Sequence, residues 1–458
     1  VTVVLAPGLI GPLAPMHGLG GARDLPVPAP LAIAGGTAAL VVSFCVLVLA
    51  WRAPRYDRPD PGRPLPALVA RILDSPWYAG ALRVLGMVFS AYVAWALISG
   101  PDLVTNPVSG TFYVVLWVGI VPSSLLFGRF FRAISPVRTL NLLFARATGA
   151  DPAKGLLTYP ERLGYWPAAL GVLAFVWQEL VNPHSAYLGP VRVWIALYFG
   201  LMLIGSAVFG ETWLSRADPF EVYSDLVAKL SPWARRSDGT LVVRSPLANL
   251  ATLSPRPGVV AVVAVLFGST AFDSYKDTVR WAQLSDRIGG NLEVINSVAL
   301  VAFCAAIGVT FAIASMTTGV ETGEVDPGSP ISRRRLLPQA FAHSVVPIIV
   351  GYMTAHYLSY FFEQGQTTIL QLSDPMVRGD NYLGTANWSV NYWLSFHPTA
   401  LASIKVLAVV AGHVVGVTAA HDRALTLLPK KHHVTGQLGM LVIMVCYTAT
   451  GLYLLFGA

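Results

Sequence analysis

The stretch "YMTAHYLSYFFEQGQ", residues 352–366, sets Tyr352, His356, Tyr360 and Glu363 at intervals of four, four and three within an apolar run. At about 100° per residue those intervals confine the four side chains to one helical stripe roughly 80° wide. A titratable group inside an apolar span costs a few kcal/mol to insert, so such a stripe is a candidate site by default. Three other segments carry similar groups. "STAFDSYKDT" supplies Asp273, Lys276 and Asp277, "WQELVNPHS" supplies Glu179 and His184, and "SFHPTALASIK" supplies His397 and Lys405. Imidazoles and carboxylates together suit a divalent metal such as zinc, manganese or copper, which lowers the pKa of bound water toward about 7. The expected metal ligands are His356, His397, Asp273 and Asp277. Glu363 or Glu179 would activate water, and Lys405 and Tyr360 would stabilise an oxyanion. The plainer expectation is that Asp273 and Asp277 end a helix beside Lys276, that Glu363 is in water, and that His397 precedes a helical proline.

These residues need elements that bring them to one depth. Of the 458 residues 54% are apolar and only 12% charged, about half the charge density of a soluble chain. Apolar runs of about 20 residues recur, the length that crosses a hydrocarbon core of roughly 30 Å. The class is therefore an all-α polytopic membrane protein, with about ten spans near 30–51, 78–99, 111–128, 165–182, 191–213, 257–273, 292–316, 338–361, 395–419 and 434–456. With both termini outside, roughly 23 Lys and Arg fall in inner loops against about 5 in outer ones. The net charge of +7 then reflects topology and no nucleic-acid partner is expected. Residues 1–29 form an outer N-terminal segment, in which 1–16 fit either a remnant signal peptide or a loosely anchored tail. Residues 30–458 form one transmembrane domain with cytoplasmic loops 52–77, 129–164, 214–256, 317–337 and 420–433. In the third of these loops "FEVYSDLVAKL" has the spacing of an interfacial helix and "SDGT" that of a tight turn. Ten spans also divide into a five-plus-five inverted repeat, for which Pro122 and Pro347 hold corresponding places.

Further histidines are His343, His413, His421, His432 and His433. Pairing His343 with His413 and His356 with His397 would suggest two haems. The two histidines of each helix are turned about 140° and 160° apart, which disfavours haem. His17 at a processed N-terminus would chelate copper, but Pro15 and Met16 are not a small-residue cleavage site. Cys45, Cys304 and Cys446 have no paired spacing and read as packing residues.

The segments "HGLGGARDLPVP", "GSTAFDS", "FAHSVVPIIVGYMTAHYLSYFFEQGQ", "SDPMVRGD" with "LGTA", and "AGHVVGVTAAHDRAL" resemble the bacterial integral membrane protein family named fenitrothion hydrolase, an organophosphate hydrolase. The resemblance runs from His17 to the last span and implies a plasma-membrane protein that cleaves a phosphotriester to a phosphodiester and an aryl alcohol. The first functional expectation is thus a membrane-embedded hydrolase with an outer-leaflet site, reached by lipophilic small-molecule substrates through membrane lipid. A transporter or ion-coupled permease is the alternative, and it calls for a structural pseudo-two-fold between the halves and for a discontinuous helix at Pro122 or Pro347. A metal- or haem-binding subunit of a membrane complex is a third.

Overall fold

The computed structural model describes residues 21–56, 61–317 and 334–457. The leader and His17, and most of loop 317–337, lie outside them. In chain order the helices used below are α1 (Ala29–Ala50), α2 (Pro76–Ser99), a π-helical stretch Thr111–Val118 followed by α3 (Ile120–Phe127), α4 (Pro136–Thr148), α5 (Trp166–Leu180), α6 (Leu188–Phe209), α7 (Pro219–Ala228), α8 (Val259–Lys276), α9 (Leu292–Met316), α10 (Val346–Leu372), α11 (Pro398–Leu427) and α12 (Leu438–Phe456).

Among the described residues, eight helices are long and apolar enough to cross a membrane, and the bent pair Pro107–Val118 and Ile120–Phe127 makes a ninth if it is one span. The expected span near 165–182 is α5, which has 15 residues. At 1.5 Å per residue it rises about 22 Å, short of a full hydrocarbon core.

Burial sorts the helices into an inner pair and an outer ring. The most apolar windows of α8 and of the span ending in α10 are 78% and 83% buried, against 17–22% for α1, α2, α6 and α9. The inner helices are the ones that carry Asp273, Ser274 and His356, so their polar groups are kept from lipid. α10 and α11 pack side by side through glycine. A Cβ on Gly351 would stand 2.4 Å from the Ala408 carbonyl oxygen, and one on Gly412 would stand 2.5 Å from that of Pro347. Small residues allow that backbone approach, the usual way membrane helices pack closely.

Both marked prolines sit at irregular winding. Pro122 follows the π-helix across a 45° bend, and Pro347 follows a 3-10 turn, Ala342–Val345, that interrupts the span ending in α10. The packing of the two halves nevertheless differs. α8 packs along α9, whereas α1 lies against α11 and α12 rather than along α2.

The loops following α1 and α6 meet in a three-stranded antiparallel sheet of β1 (Arg63–Pro64), β2 (Trp233–Arg235) and β3 (Leu241–Val243), in the order β1-β3-β2. "SDGT" is the β2–β3 turn, with Gly239 at φ 86°. The sheet places loops 52–77 and 214–256 on one side of the bundle. The helix α7, expected at the interface, is instead buried along nearly all its length. Its Glu221 accepts from Arg138 of α4 at 2.7 Å, and Arg138 also reaches Glu211 at 3.2 Å. Glu211 thus pairs with arginines and not with the histidines near the α11 end.

Candidate functional site

The polar centre is built by α8 and α10. Buried Asp273 accepts from Tyr357 Oη at 2.6 Å and lies 2.9 Å from His356 Nε2, both through Oδ2. The other ring nitrogen, Nδ1, is 3.1 Å from Ser274 Oγ, and Tyr352 donates its hydroxyl to Ser274 at 2.9 Å. The result is a chain of five side chains, Tyr352–Ser274–His356–Asp273–Tyr357, closed between two helices. Helical spacing explains half of it. Tyr352 and His356 are one turn apart and their rings lie parallel, 7° between planes, so both address α8. Consecutive residues extend the chain: Asp273 and Ser274 grip the two nitrogens of one imidazole, and Tyr357 reaches past His356 to the same carboxylate.

Ser274 has a second acceptor, the Thr270 carbonyl, at 3.1 Å. A neutral His356 with its proton on Nε2 donates to Asp273 and accepts from Ser274. A protonated His356 donates to both, and the Ser274 hydroxyl turns to Thr270. Either state leaves every partner of the imidazole satisfied, which a buried polar group requires.

Beside this chain stands α5. Glu179 is in electrostatic reach of Asp273 and Lys276, and Lys276 donates to the Leu180 carbonyl at 3.2 Å. Among the described residues Glu179 Oε2 and the hydroxyl of Tyr223 are buried with no hydrogen-bond partner. Tyr360 lies near Glu179, Asp273 and Tyr113. The π-helix supplies Tyr113, which donates to the Ser185 carbonyl at 2.9 Å and receives Gln178 of α5 at 3.4 Å. π-helical winding occurs often at functional positions, and here it forms one wall of the centre.

Of the expected metal ligands, the structure brings only His356 and Asp273 into contact. His397 is exposed, stacked on Trp393 with ring centres 4.4 Å apart, and its Nδ1 bonds the Trp393 carbonyl at 2.8 Å. The proline after it starts α11, so the histidine is held at the helix entrance. Asp277 is exposed at the C-cap of α8. No group of three or more His, Cys, Asp or Glu suited to a metal occurs among the described residues.

The expected helpers also separate. Tyr360 and Glu179 stay at the centre, whereas Glu363 is buried farther along α10 and accepts from Ser395. Lys405 is buried and within electrostatic reach of Asp24 in the turn Ala22–Asp24. Two histidines near the other end have both ring nitrogens paired. His343 bonds the carbonyls of Ala340 and Ala419, and His421 bonds Gln437 and the Trp51 carbonyl. Asp422 accepts from the main-chain nitrogens of Arg55 and Tyr56, fastening the segment after α1.

Sequence reasoning missed Ser274 and Tyr357. Each is next in sequence to one of the candidate residues, and the signal for Tyr357 is that a buried tyrosine hydroxyl needs a partner. No family model, no curated protein and no solved structure matches the chain.

Proposed function

We propose that the protein is a proton-coupled membrane transporter in which Ser274, His356 and Asp273 hold and pass the coupling proton. The observation that carries this reading is the Ser274 hydroxyl, within hydrogen-bonding distance of both His356 Nδ1 and the Thr270 carbonyl. It lets the imidazole gain or lose a proton without leaving an orphaned group inside the bundle. Chains of His, Asp and Glu within spans are the usual apparatus of proton relays. Glu179, with one oxygen unpartnered beside Asp273, is a next proton acceptor. The irregular winding before Pro122 and Pro347 supports the reading, since broken helices accompany alternating access.

The test is proton exchange at the centre itself. In protein reconstituted into liposomes, pH-step infrared difference spectra will contain imidazole and carboxyl bands, which His356→Gln and Asp273→Asn each remove. A dye trapped inside will report proton entry under an imposed membrane potential, reduced at least tenfold by His356→Gln. Spectra unchanged by both substitutions, with liposomes no more proton-permeable than protein-free ones, would sink the proposal.

A second reading, hydrolysis of lipophilic phosphoesters, is favoured by one observation. Ser274 on one nitrogen of His356 and Asp273 on the other follow the order nucleophile, base, orienting acid. An alkyl fluorophosphonate separates the two readings. Covalent labelling of Ser274 that is lost in His356→Gln supports hydrolysis, and an unlabelled Ser274 in a proton-exchanging protein supports transport.

A further inference from the structure

On the far side of the π-helix from the relay, a cavity of 280 Å³ lies between α2, the π-helix and α6. Phe89 and Ala94 of α2, Phe112 and Leu116 of the π-helix, and Trp194 and Phe199 of α6 are among its walls. Its size is near the lower end of ligand pockets, about 300 Å³, and its walls exclude charge. A cavity walled mostly by hydrocarbon holds water poorly, which favours a largely apolar occupant.

Ser90, Thr111, Ser123 and Tyr198 also line it, and Thr111 stands apart from the other three by its burial and its unpartnered hydroxyl. Thr111 lines the cavity, is 7% exposed, and its hydroxyl has no hydrogen-bond partner among the described residues. Helical threonines here ordinarily bond the carbonyl four residues back, as Thr270, Thr310 and Thr367 do. Thr111 opens the π-helix and makes no such bond. A buried hydroxyl left unpaired is destabilising, a penalty that a ligand oxygen would remove.

We propose that this cavity binds an uncharged lipophilic molecule bearing a single oxygen group, such as a long-chain or isoprenoid alcohol, with its hydrocarbon among the aromatic walls and its oxygen on Thr111. The π-helix is then a shared wall, presenting Phe112 and Leu116 to the ligand and Tyr113 to the relay's neighbours. Binding stands independently of the proton-relay reading, because it is measured without a pH gradient.

The experiment uses the full chain in lipid nanodiscs and a long-chain alcohol carrying an alkyl diazirine. Photolabelling is expected on α2 and the π-helix. Excess unlabelled alcohol will compete, and the alkane of equal length will compete about five- to tenfold less well, the worth of one hydrogen bond. Thr111→Val will erase that difference. Ala94→Phe and, separately, Val115→Phe will fill the cavity and abolish labelling, with thermal unfolding reporting that each variant is folded. Labelling that persists in both filled variants, or equal competition by alcohol and alkane in the wild-type chain, overturns the assignment.

Discussion

Replacing Ser274 by alanine tests the relay at the one atom that joins its two halves. The substitution removes the acceptor of Tyr352 Oη, 2.9 Å away, and the partner of His356 Nδ1, 3.1 Å away, and leaves the 2.9 Å His356–Asp273 contact in place. In water-soluble cores two orphaned groups would cost about 2–6 kcal/mol together. Within a membrane the unfolded reference also finds partners, and interhelical hydrogen bonds measured in another membrane protein average about 0.6 kcal/mol with a maximum near 1.7. Two lost bonds therefore set the expected cost of Ser274→Ala at about 1–3 kcal/mol. Because part of that cost is the stranded tyrosine, Tyr352→Phe in the Ser274→Ala background will cost less than Tyr352→Phe alone. The coupling should be about 0.6–1.7 kcal/mol. Reversible unfolding in mixed detergent micelles gives all four corners of the cycle. Strictly additive costs, or a Ser274→Ala cost below about 0.5 kcal/mol, a value typical of surface substitutions, would refute the closed chain.

Two predictions concern the loop side of the bundle. Arg138→Met leaves the fully buried Glu221 only its longer 3.6 Å contact with Arg132 and will destabilise by up to about 3–5 kcal/mol, while Arg138→Met with Glu221→Leu will recover most of the loss. The same unfolding assay reads both. Asp218, outside the spans, caps α7 and receives the Tyr198 hydroxyl at 2.9 Å; burial first, and repulsion by Glu221 second, push its pKa from 3.8 to about 7. Ionising it costs more in the folded than in the unfolded chain. Stability is thus unpenalised below pH about 4, falls through the window 4–7, and has lost up to about 4 kcal/mol above it. Asp218→Asn keeps the cap, and its unfolding midpoint will lack that decline between pH 4 and 7.

The amino-acid sequence by itself determined that the chain is a bundle of apolar helices, because a low charge density and repeated runs of about 20 apolar residues leave few other solvents for them than lipid. It also marked His356 and Asp273, since a titratable group in such a run is costly enough to need a reason. The stripe Tyr352–His356–Tyr360 was legible from a period of 3.6, and those three residues do turn toward α8 and α5. Periodicity describes one helix, however, and leaves open which neighbour each stripe will meet. Lys405 lies on α11 and His397 at its N-cap, both expected at the centre, yet Lys405 is within electrostatic reach of Asp24 and His397 stacks on Trp393. Whether Glu363 would meet water, metal or Ser395 depended equally on the chain's return 32 residues later. The pairing of Ser274 with His356 was decided only in three dimensions, because a hydroxyl beside a carboxylate in sequence carries no periodic signal. A hydrogen bond is made or lost within a few tenths of an ångström, and only the crossing of α8 with α10 fixes distances on that scale.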